Sequence, residues 1–562
     1  MKKSIENLRK KIKAWLVHQQ RLRCRKLQVV RLEDRRLPDA SFGLVAGVLT
    51  LEGFDGGDSL TLDGGLSDAV ASFTLKTGVW DAADPDLLTG PFALSNFDKT
   101  LTLNDMSGNH GISVRATNAL ASVNTSTAGV QIGTLEIFGG GSVDLSDFDN
   151  DFDTVSFSAE SLILFDVDSV ELSDLSITLT ASVSVGSGDI TDEIGATIDI
   201  GGSAEFQAAS IVLGDDTADI TEFGSLSFAG TGDVEISEDD SMSVSSDSTA
   251  GGLTLISAAD ISLDARIEAA GDTSIIAGAI SGHMDVNAEL TVEGSIFMEA
   301  ADDVTINSAV VATDLISISA GQDGTGAALL NVSGSLTADN VSGTADITII
   351  GGLTAGNIVL NGTTTADDVV EITTAGSING TGLINVAYLA LSASEGIGAN
   401  GLPLTFDADS LITQTDGSSQ FLMEANEVTI DSSGLNAGVG RITLSGGTFT
   451  LDVSERINDS AKVNITGGAT LRLGSHSETI DQLILTDGSV TGSGTGTLTA
   501  TSAFDVRNGF ISAALAGSVG LAKTTSGTVT LALKQATSSL LFGAKNRAAA
   551  NRNERVVGVT LS

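Results

Sequence analysis

The 562-residue chain carries 28 Lys+Arg against 72 Asp+Glu, a formal net charge of −44, with 65 Gly but only 4 Pro, 4 His, 2 Trp, 1 Tyr and 1 Cys. One cysteine excludes a disulfide scaffold and a Cys/His zinc module, the acidic balance argues against a nucleic-acid partner, and no apolar run nears the roughly 18 residues of a membrane helix. Hydrophobic residues at 41% argue against disorder, while aromatics at 4% are too few for an ordinary core and point to a repeat.

Residues 1–36 hold 13 Lys/Arg and 3 Asp/Glu. Ile5, Leu8, Ile12 and Leu16 recur at helical spacing, so segment 1–42 is expected to be a short basic helical or disordered arm outside the fold. Its longest apolar run, Ala14-Trp15-Leu16-Val17, is shorter than the roughly 7–15 residues of a secretory signal core. Cys24 lies between Arg23 and Arg25, which favour thiolate, yet it reads as an idle residue of the arm. The segment Leu32-Glu33-Asp34-Arg35-Arg36-Leu37-Pro38-Asp39-Ala40 resembles the LEPR-XLL signature of large secreted bacterial surface proteins. Asp34 stands in place of the signature proline and Pro38 in place of its second leucine. The resemblance implies export, a sorting role for the arm, and an extracellular or cell-surface location.

Residues 43–129 are expected to form a β-rich cap or the start of a solenoid. From 116 to 440 the single cation is Arg266, against 50 acids. Like charges at ladder spacing are expected to oppose stacking, and divalent cations to relieve them. The densest acidic run places Asp147, Asp149, Asp151 and Asp153 at alternate positions, with Phe148 and Phe152 between them. Oxygen ligands at positions 1, 3, 5 and 7 suit Ca²⁺, but an EF-hand loop has Gly at 6 and Glu at 12, where this chain has Phe152 and Ser158. As a strand, the same spacing sends all four Asp outward and both Phe inward. The solvated strand face is the first reading and a calcium site the second. Asp55-Gly56-Gly57-Asp58 with Asp63 resembles a calcium-binding β-roll turn and carries the same pair of readings. No cofactor is required by the first.

The acidic segment 130–439 repeats. AADISLDARIEAAGDTSIIAG at 258–278 aligns without gaps on ADDVTINSAVVATDLISISAG at 301–321, an offset of 43. Between them Met284, Val286 and Leu290 repeat the pattern of Ile261, Leu263 and Ile267, so the interval divides into units of 23 and 20. SIFMEAADDVTINS at 295–308 returns as QFLMEANEVTIDS at 420–432. In the segment 440–535, ITLSGGTFTL returns as VNITGGATLRL, with Gly446-Gly447 recurring as Gly467-Gly468. Each unit shows period-2 alternation between Gly, Asn, Asp and Ser turns, and scarce proline leaves backbone N–H groups free for ladders.

A unit of about 20 residues cannot bury its apolar face alone, but stacked units can. The expected fold is all-β, a right-handed parallel β-helix of roughly 20 coils whose slender interior prefers Val, Ile, Leu and Ala. A sandwich array would have units near 100 residues, a left-handed helix a strict hexapeptide rhythm, and a propeller aromatic signatures. Residues 351–432, notably GSINGTGLINVAYLALSASEGIGANGLPLTFDADSL, resemble filamentous-haemagglutinin-like adhesins. Residues 440–533 resemble autotransporter-associated β-strand repeats. Segment 536–562 turns basic and reads as a cap, a disordered tail or a truncated end.

For chemistry the sequence offers little. His18, His110, His283 and His476 are far apart, and His110 and His283 sit in turn-like Asn109-His110-Gly111 and Gly282-His283-Met284. No GxSxG, P-loop, HExxH or CxxC occurs. The sequence therefore reads as a non-enzymatic, exported, adhesin-like rod. Its partners would be cell-surface or matrix carbohydrate or protein, with homotypic pairing through the coil ends a further option. The alternative is a carbohydrate-active β-helix enzyme, a polysaccharide lyase or hydrolase, which needs carboxylates beside a base or cation.

Overall fold

The computed structural model describes the backbone of most of 41–533 and of 557–561, and the side chains of 135–137 and 141–532 except 279, 325–327 and 353–355. The expectations on the basic arm, on Cys24, His18 and His110, and on Asp55 and Asp58 lie outside the described residues.

The described chain is all-β and winds into a parallel β-solenoid of about 18 turns. From residue 234 to 366 each turn has three short strands. Val234–Glu238, Met242–Val244 and Ser248–Ala250 form one turn, and Leu253–Ser257, Ile261–Leu263 and Ile267–Ala269 the next. Each strand pairs in parallel with its counterpart one turn on, so three parallel faces run along the body.

The two-unit division of the 43-residue echo is the structural register. Ile261 pairs with Met284 and Met284 with Val304, steps of 23 and 20; Ile267, Leu290 and Val310 repeat these steps on the next face. The echo between 295–308 and 420–432 is not a register. Ile296–Ala300 lies on the first face and Val304–Ile306 on the second, whereas Gln420 continues the second face from Ile397 and Ile430 the first from Leu411.

Period 2 sends alternate side chains into the lumen. The column Ile261, Met284, Val304, Leu330, Ile358, Ile378 and Ile397 follows one face through seven turns, and every member is buried. One turn inserts Leu253, Leu255, Ile261, Leu263, Ile267 and Ala269. At ~1.5–3 kcal/mol for each large aliphatic, that burial is on the order of 10 kcal/mol per turn, which outweighs any surface repulsion. Among the described residues, phenylalanine enters the lumen only where strands are long. Phe152, Phe157, Phe206 and Phe228 precede the three-strand turns, and Phe406 and Phe449 follow them; between, Phe297 faces outward.

The bend between the second and third faces is tight. Val332 O accepts the N–H groups of both Asn361 and Gly362, at 2.7 and 3.0 Å. Gly334, Gly362 and Gly382 stack there on successive turns. A Cβ on Gly362 would fall 1.5 Å from Gly334 O, and one on Gly382 1.8 Å from Gly362 O. Glycine is required by this close approach.

Along the described ladders acids rarely face acids, which corrects the expected general repulsion. Asp285 lies between Ser262 and Thr305, Glu268 between Thr249 and Thr291, and Glu205 between Ser182 and Ser227. Among the described strand pairings the single acid–acid match is Asp199 with Glu222. Antiparallel pairs stand at both ends of the body, Ser41–Val45 with Val48–Glu52 and Val529–Leu533 with Val557–Leu561.

Candidate functional site

The acidic run 147–153 is a turn followed by a strand, not one extended face. Asp147 Oδ1 accepts the Asp149 N–H at 3.1 Å, and Asn150 is fully buried, donating Nδ2 to Leu145 O at 2.7 Å. This turn reverses the expected direction of Phe148, which is 75% exposed and packs edge-on against Phe165, while Phe152 goes inward as expected. Asp147, Asp149, Asp151 and Asp153 do not converge as a ligand set.

A different set does converge. One carboxylate oxygen from each of Asp192, Asp215 and Asp219 lies within 4.8 Å of the others. Asp192 sits at a register shift in Asp189–Ala208. Asp215 and Asp219 follow it in the loop after Ser210–Leu213, where Gly214 has a φ of 70°. Asp219 accepts the N–H groups of Gly195 (2.6 Å) and Asp216 (2.8 Å), and Asp192 Oδ2 accepts that of Gly214 at 2.8 Å. Burial, with Asp219 and Asp215 nearby, pushes the Asp192 carboxyl up to about 6. Three hard oxygens of this kind suit a divalent cation. The legible signal was the offset of 23, one turn, between Asp192 and Asp215.

Among the described residues, two outer-surface grooves gather charged side chains. The first, about 440 Å³, runs across successive strands of the second face and holds Asp260, His283, Asp285 and Asp303. Asp260 Oδ1 accepts the His283 N–H at 2.8 Å, and His283 Nδ1 lies 3.8 Å from Asp303. His283 immediately precedes Met284–Val286, in keeping with a turn position. The second groove, about 640 Å³, holds Arg441 and Lys462 and has no carboxylate in its lining. Acids and cations are thus segregated between the grooves.

No family model, curated protein or solved structure matches the chain. Among the described residues no helix is long and apolar enough to cross a membrane.

Proposed function

We propose that the chain is a non-enzymatic structural or adhesin-like protein of the bacterial surface, a stiff solenoid that presents its outer faces and loops to cell-surface or matrix molecules. The observation that supports this reading is the composition of those faces. Their strands carry outward columns of Ser, Thr, Asn and staggered acids, such as Ser243, Ser262, Asp285, Thr305 and Asn331. Such a surface offers many hydrogen bonds without a concentrated catalytic group. Fractionating the producing cells and sequencing the mature N-terminus tests it. The expected result is surface or secreted protein lacking the basic arm. Cytoplasmic protein beginning at Met1 would overturn it.

The second reading, a carbohydrate-active enzyme, is favoured by His283 beside Asp260, Asp285 and Asp303. A proton-accepting imidazole among carboxylates is the group such chemistry needs. Release of sugar fragments from acidic or neutral polysaccharides, abolished by His283→Ala, would establish it in place of the first.

A further inference from the structure

We infer that the groove beneath the Ala399–Leu402 hairpin binds a sugar acid, a saccharide unit bearing a carboxylate or a sulfate. The inference deepens the presentation reading by naming a ligand class, and it rests on that reading in treating the face as non-catalytic.

The hairpin forms because the connection between Gly396–Ile397 and Leu404–Thr415 leaves the ladder. Ala399 and Leu402 exchange both backbone hydrogen bonds at 2.9 Å, and Gly401 takes a φ of 85° at the tip. One wall of the groove is therefore a rigid two-residue turn. The floor comes from the outward positions of three successive turns. Phe421 pairs with Thr443, and Thr443 with Asn464; beside them Arg441 pairs with Lys462.

Three observations converge on an anionic, hydroxyl-rich ligand. First, Arg441 and Lys462 are in direct register, a like-charge pair that costs stability unless an anion bridges it. Arg266, Arg456, Arg472 and Arg507 each have a carboxylate partner; among the described residues Arg441 and Lys462 have none. In a chain of net charge −44, two neighbouring cations without a neutralising acid stand out. Second, Thr443 is only 8% exposed, lines the groove, and has a buried Oγ1 without a hydrogen-bond partner. An orphaned hydroxyl of this kind is costly, and a ligand hydroxyl would satisfy it. Third, the neighbouring groups suit a sugar. The Asn464 Oδ1 accepts from Thr486, so its Nδ2 is the group left to donate outward, and Phe421 supplies a half-buried ring. A volume of about 640 Å³ holds one or two sugar rings rather than a protein surface.

Calorimetric titration of the full chain tests this with four probes. These are trigalacturonate, its neutral methyl ester, galactose 6-sulfate and a short poly-glutamate. The expected result is binding of trigalacturonate, of galactose 6-sulfate or of both, the two acids separating carboxylate from sulfate recognition. The neutral ester and poly-glutamate should bind at least ~10-fold more weakly. Arg441→Gln with Lys462→Gln, and separately the near-isosteric Thr443→Val, should each weaken binding ~10-fold or more with the melting temperature kept. The inference is overturned if neither acidic sugar binds, if poly-glutamate binds as well, or if the double variant binds like the parent. Recovery of shortened trigalacturonate, with binding lost in the double variant, would uphold the site and overturn the non-catalytic reading instead.

Discussion

Asp199 lies in register with Glu222, both exposed, on adjacent turns of the solenoid. Elsewhere the described strand acids meet Ser, Thr, Asn, Gln, Gly or an apolar residue, so this is the one acid–acid step on the described ladders. Glu222→Gln is expected to stabilise the chain by ~0.3–1 kcal/mol at low ionic strength, and by much less in 0.5 M NaCl. Urea unfolding at the two salt concentrations measures it; a destabilised variant would show the pair to be favourable.

The same neighbourhood holds Asp192, Asp215 and Asp219. Millimolar Ca²⁺ is expected to raise the melting temperature more than NaCl of equal ionic strength, and Asp215→Asn to remove that difference. Adding a chelator should return the parent protein to its value in NaCl. Identical melting in the two salts would dismiss a specific cation site.

Several carboxyls are buried in the wall. Desolvation, aided by Asp240, pushes Glu238 up to about 9, and desolvation pushes Asp166, Glu424 and Glu478 to about 7. Glu478 stays high even though it accepts the N–H groups of Arg456 at 2.8 Å and Ile457 at 3.0 Å. Each raised carboxyl binds its proton more tightly when folded. Its contribution is complete below the unfolded pKa near 4 and is lost as pH rises to about 7, or about 9 for Glu238. Stability should therefore fall from pH 5 to pH 8, with a limiting slope of ~1.4 kcal/mol per pH unit for each such group. Glu238→Gln should flatten the portion above pH 7. Chemical denaturation across this range decides it, and a stability that rises with pH would contradict the assignment.

Gly362→Ala is expected to cost ~2 kcal/mol or more, because the added methyl meets the Gly334 carbonyl. A control at the exposed tip, Gly343→Ala, meets nothing within 4 Å and is strained only by its φ of 66°. Comparing unfolding midpoints of the two tests whether close approach or backbone angle dominates.

The sequence carried the winding well, because a two-residue alternation and a repeat near 20 are local signals. Ile261, Met284 and Val304 were legible as one column from spacing alone. What escaped was anything set by phase between turns. Matching residues at 295–308 and 420–432 occupy different faces, because loop excursions differ in length. The turn at Asp147–Asn150 hid the outward Phe148, since one buried Asn breaks an alternation that composition alone continues. The Arg441 groove was hidden because its wall, Ala399–Leu402, comes from about 40 residues earlier and reaches it only through stacking.

The register steps of 23 and 20 residues give the molecule a modular length. Excising 273–295 would seat Ile296 where Thr273 had been and Val304 where Met284 had been, keeping the faces in register with one storey fewer. Reach is thus adjustable by whole increments through gene duplication or loss, because new lumen pairs such as Val304 on Ile261 are again aliphatic on aliphatic.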